Sequence, residues 1–152
     1  MEEIMARFVF SMQNILNMKE KLEEQEKNQY AQANMRLQEA IAEQEALELR
    51  LENEKRKLQE DISDALDIKE IRRREDAVEI IRMYVRQQIL VVKQREKEVE
   101  VARERLNEAM KERKTFEKLR EHAFERFCIE ENLREQKEVD ELVSYRYGVN
   151  SD

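Results

Sequence analysis

The chain contains no proline and one glycine, Gly148, in 152 residues. Turns draw heavily on those two residue types, so such a chain can reverse direction only rarely. What remains is dominated by Glu, Lys, Arg, Gln, Leu and Ala, which lose little rotamer freedom in a helix. The composition predicts an all-α protein built from very few, very long helices, and it argues against strands. Mean hydropathy is −0.94, and no uncharged run approaches the roughly 20 residues of a membrane span, so direct membrane insertion is not expected. At the N-terminus, Glu2 and Glu3 precede Ile4 and Met5. That order lacks the basic and apolar regions of a secretory signal, and a cytoplasmic protein is expected.

The same counts leave little material for catalysis, and a non-enzyme without cofactor or metal is expected. Cys128 is the only cysteine and His122 the only histidine, so neither an internal disulfide nor a site built from several cysteines or histidines can form. The two lie six residues apart, about 9 Å along a helix and off the same face. No Gly-rich phosphate loop exists. The 36 acidic residues read as solvated helical surface rather than as paired catalytic carboxylates. Cations are interleaved with acids even where they are densest, so nucleic acid is not expected as a partner.

Two heptad tracts organise the chain. In the first, Phe8, Met12, Ile15, Leu22, Ala33, Leu37, Ala40, Leu47, Leu51, Leu58 and Ile62 recur in steps of three and four or their multiples, with polar breaks at Lys19, Glu26 and Gln44. In the second, Val78, Ile81, Val85, Val92, Val99, Ala102, Leu106, Ala109, Phe116, Ala123 and Phe127 do the same, with breaks at Gln88, Arg95 and Arg113. Between them the short polar side chains of Asp61, Ser63, Asp64 and Asp67 compete with the backbone and mark the break. Asp67 and Glu70 have capping-box spacing, which starts a second helix at Ile68. The expected organisation is one coiled-coil hairpin over 1–152, with helices over about 4–62 and 68–147, a turn at 63–67, and a tail at 148–152 opened by a left-handed Gly148.

Charge favours the hairpin over a parallel dimer of one continuous helix. Residues 1–68 carry 9 basic and 16 acidic side chains, and residues 69–120 carry 16 basic and 11 acidic. Folding back sets the acidic arm against the basic one, whereas a parallel dimer sets it against itself. The free hairpin is expected to be monomeric. Its first helix would span about 90 Å and its second about 120 Å. Phe8 would then lie opposite the region of His122, and the last stretch of the second helix would have no internal partner.

Two regions hold more apolar surface than one seam uses. Ile80, Ile81, Met83, Tyr84, Leu90 and Val91 spread beyond a single stripe. Ala123, Phe124, Phe127, Cys128, Ile129, Leu133, Val139, Leu142, Val143, Tyr145 and Tyr147 form the second group. Either a third helix, from a bundle or self-dimer, or a foreign partner would use such surface.

Both ends of the chain resemble the flagellar FliJ family. The opening Phe8-Val9-Phe10-Ser11-Met12-Gln13-Asn14-Ile15-Leu16 is similar to that family's two alternate phenylalanines followed by an apolar-Gln-x-apolar-Leu step. Glu135-Gln136-Lys137-Glu138-Val139-Asp140-Glu141-Leu142, followed by Arg146-Tyr147, is similar to its Glu-Gln-Lys-x-x-Asp-Glu-Leu ending. Lys111 to Leu119 resembles its Lys-rich late segment, and Leu66 to Ile71 its turn.

The resemblance implies a role in flagellum biogenesis, motility and type III protein export. It implies a non-catalytic stalk in the hexameric export ATPase ring that connects the ring to the cytoplasmic domain of the export gate and escorts export chaperones. The expected location is the cytoplasm, peripheral to the inner face of the membrane at the flagellar base. Gln136, Asp140, Glu141, Leu142, Arg146 and Tyr147 would contact the ring. The apolar excess at Ile80, Ile81, Met83, Tyr84, Leu90 and Val91 is the expected gate contact, an assignment made from the sequence pattern. The alternatives are a structural homodimeric spacer, or the equivalent stalk of a virulence secretion system or a rotary ATPase.

Overall fold

The computed structural model describes residues 2–64 and 67–150. Three helices account for nearly all of them: α1 (Glu2–Arg7), α2 (Gln13–Ser63) and α3 (Ile68–Asn150). The two long helices pack against each other as a helical hairpin, and no strand occurs among the described residues. Two compact units divide this packing, one of Met1–Glu24 with Glu108–Asp152 and the other of Gln25–Asn107.

In the second unit α2 and α3 run antiparallel. Arg74 Nε donates to Asp61 Oδ2 at 2.9 Å, and Gln88 Nε2 reaches the Ala40 carbonyl at 2.9 Å. Partners thus recede along α2 as they advance along α3. The buried positions of α3 include Val78, Ile81, Val85, Gln88, Val92 and Ala102, the expected second seam. Ala33 and Ala40 face them from α2, with Leu37, Leu47, Leu51 and Leu58 half-buried between.

α3 begins after Asp67, whose carboxylate accepts the Lys69 N–H at 3.4 Å and whose carbonyl accepts the amides of Glu70 and Ile71. The reciprocal half of the capping box differs from expectation, because the Glu70 carboxylate turns to Arg73 at 3.5 Å. Of the expected turn at 63–67, Ser63 is the last residue of α2 and Ala65 and Leu66 lie outside the described residues.

The first unit corrects the sequence reading in three places. The first helix is not continuous from residue 4, because residues 8–12 leave the helix between α1 and α2. In a helix Phe8 and Phe10 would point about 200° apart, whereas in an extended segment alternate side chains share a side. Leaving the helix buries Phe10 and half-buries Phe8, while Val9 between them is 84% exposed. The first seam also runs one residue later than expected at two points. Ile15 and Leu22 are exposed, and Leu16 and Glu23 are buried in their place. Glu23 is drawn inward by a charged hydrogen bond from Arg113 Nε, the partner a buried carboxylate requires. A similar shift in the second unit leaves Ile62 exposed and Asp61 half-buried against Arg74.

The third correction is at the C-terminus. α3 passes through Gly148 to Asn150, so Gly148 is an interior helical residue and does not open a left-handed tail at 148. A Cβ placed there would meet nothing within 4 Å. Gly148→Ala should therefore raise the helicity of the last turns by up to about 1 kcal/mol of propensity, read by circular dichroism. A fall in helicity would restore the capping role.

Candidate partner-binding surfaces

Aromatic packing closes the first unit. Phe8 meets Phe124 edge-on at 5.2 Å and Phe127 at 5.6 Å, and the Arg120 guanidinium lies 5.6 Å from the Phe8 ring centre. Arg120 Nε also donates to Gln13 Oε1 at 3.0 Å, and Lys19 pairs with Glu112 at 2.8 Å. Arg113 bonds Glu117 as well as Glu23, and these two acids raise its guanidinium above the ordinary value, Glu117 first. Phe8, Phe10, Leu119, Ala123 and Phe127 line an open cleft of about 330 Å³ beside Arg126 and Glu130.

Beyond this closure the described residues of α3 become exposed. Glu131 is half-buried between Arg134 at 3.1 Å and Arg7 at 3.8 Å. Every residue from 132 to 149 is exposed. Leu142 is 65% and Tyr147 75% exposed, and Gln136, Asp140, Glu141 and Arg146 are exposed with them. At about 100° per residue, Gln136, Asp140 and Tyr147 share one side of the helix. Leu142 and Arg146 fall on another, with Glu141 between. The expected ring contacts therefore encircle the helix.

In the second unit the expected gate residues divide. Ile80, Met83, Tyr84, Leu90 and Val91 are exposed, with Ile80 at 49%. Ile81 is only 3% exposed and belongs to the seam, so it supports this face from beneath and offers nothing to a partner. The reason is its heptad position between Val78 and Val85. Ile81→Ala should cost about 2–4 kcal/mol of stability and Ile80→Ala little, measured by urea denaturation.

No grouping of His, Cys, Asp and Glu suited to a metal occurs among the described residues. His122 is exposed with Nδ1 3.6 Å from Glu125, and Cys128 is half-buried. No described helix is long and apolar enough to cross a membrane. Sequence reasoning missed the non-helical segment at Phe8-Val9-Phe10, although the alternate spacing of its phenylalanines carries the signal.

Among known proteins, residues 8–151 match the family described as Flagellar FliJ protein. No curated protein and no solved structure gives a match. With a match over nearly the whole chain and two long helices packed as a hairpin, the chain belongs to the flagellar FliJ family, which is associated with flagellar export.

Proposed function

We propose that this chain is the central stalk of the flagellar type III export ATPase, with the end of α3 inserted in the hexameric ring and the exposed face at Ile80, Met83, Tyr84, Leu90 and Val91 turned to the export gate. The observation that carries the reading is the helical run 132–149, exposed throughout and rich in apolar and aromatic side chains. Such a surface is unfavourable in water and is used when a partner surrounds it. A single helix inside a six-fold ring touches unlike subunits differently and biases their nucleotide states through differential contacts. The stalk needs no catalytic group of its own and acts on the ring mechanically.

The escort of export chaperones and a peripheral location at the inner face of the membrane, at the flagellar base, complete the reading. The family match favours this system over a virulence secretion apparatus, a rotary ATPase or a spacer dimer. The test is ATPase stimulation by Leu142→Ala/Tyr147→Ala, with helicity as the control. Full stimulation by a folded variant would remove the ring assignment. Ile80→Ser/Tyr84→Ser tests the other face, and it should weaken binding to the gate's cytoplasmic domain while stimulation persists.

A further inference from the structure

We propose that the outer face of α3 from Ile80 to Val101 is a second coiled-coil seam, built to receive a partner helix whose apolar heptad stripe is edged by acidic residues. This deepens the reading of that face as a partner contact, on which it rests, by naming the geometry and charge of what docks.

The spacing is the first argument. Ile80, Met83, Leu90 and Val101 fall on positions of one repeat of alternating three- and four-residue steps, whose remaining positions Gln87, Gln94 and Lys97 are polar breaks. The inner seam through Val78, Ile81, Val85, Gln88 and Val92 has the same repeat two residues earlier, which places the two stripes about 160° apart on the helix. A helix with one partner needs one stripe. Here a second stripe in heptad register is exposed along its length, widened by Tyr84 and Val91. Knobs at that spacing fit the holes of another helix rather than a flat or concave surface.

Charge decides which helix. Between Ile80 and Gln94 the charged residues are Arg82, Arg86 and Lys93, all cations, whereas Glu75, Asp76 and Glu79 precede the stretch and Glu96, Glu98 and Glu100 follow it. The three cations stand along one edge of the stripe, where flanking charges select a coiled-coil partner. Arg82 is taken by Glu79 at 2.7 Å, but Arg86 and Lys93 are exposed and have no carboxylate partner among the described residues. An antiparallel second copy fits poorly, because that pairing brings the same cationic edges together. An acidic edge supplies what Arg86 and Lys93 lack.

The test uses the full-length chain and two labelled synthetic helices of about three heptads, identical in their apolar stripe and edged by Glu in one and Lys in the other. Fluorescence anisotropy should show the Glu-edged helix binding at least 10-fold more tightly, with affinity falling as salt rises. Arg86→Glu/Lys93→Glu should reverse the preference while leaving ATPase stimulation and helicity unchanged. Equal binding of the two helices, or no binding, overturns the inference. So does a homodimer seen by light scattering that the Glu-edged helix dissolves, since the face would then belong to a second copy. If neither helix binds while the gate domain still does so through Ile80 and Tyr84, the seam fails and the gate reading stands.

Discussion

Replacing Phe10 by alanine is expected to destabilise the first unit by about 3–5 kcal/mol, the usual cost of removing a buried aromatic ring. Phe10 is 7% exposed in a segment that has left the helix, so few neighbouring backbone hydrogen bonds offset the loss. The neighbouring amides of Gln13 and Leu16 bond back to Phe10 and Met12, and their hydrogen exchange should accelerate with the change. Val9→Ser, at the exposed residue beside it, should leave stability almost unmoved. Equal effects at the two positions would show that residues 8–10 do not alternate as described.

The second large effect is functional. Leu142→Ala/Tyr147→Ala removes two large side chains that are 65% and 75% exposed, so thermal unfolding should change little. Stimulation of the ATPase should fall to the level of the ring alone. The two residues lie on different sides of α3, and a stalk that contacts several subunits needs more than one side. Each single substitution should therefore retain part of the effect. A double variant that melts early would point instead to a structural role for the end of α3.

The second seam was readable residue by residue, because its apolar positions alternate strictly and its polar breaks at Gln88, Arg95 and Arg113 keep the spacing. The first was readable as a continuous run only from Ala33 to Leu58. Near the N-terminus Ile15 and Leu16 are adjacent apolar residues, and hydrophobicity cannot choose between registers one residue apart; at Leu22 it chooses wrongly, because the buried neighbour is the carboxylate Glu23. Arg113 makes the choice by binding Glu23. A carboxylate in a seam reads as an interruption until its partner from the other helix is in view. Gly148 misled for a related reason: its conformational freedom suits a helix end but does not compel one. The outward positions of Ile80 and Leu142 followed from helical phase, while the burial of Ile81 shows that an apolar cluster must be divided by phase before any of it is assigned to a partner.

The hydrogen bond from Gln88 to the Ala40 carbonyl has a consequence for how the two helices can slide. Apolar heptads are nearly interchangeable, so a seam of them alone could slip by one repeat, about 10 Å, and still find acceptable packing. After such a slip the buried Gln88 amide would face a different neighbour, and Arg74 would lose Asp61. Loss of the Arg74–Asp61 pair makes a slipped alignment the poorer one, so these few polar contacts favour a single register between the two helices.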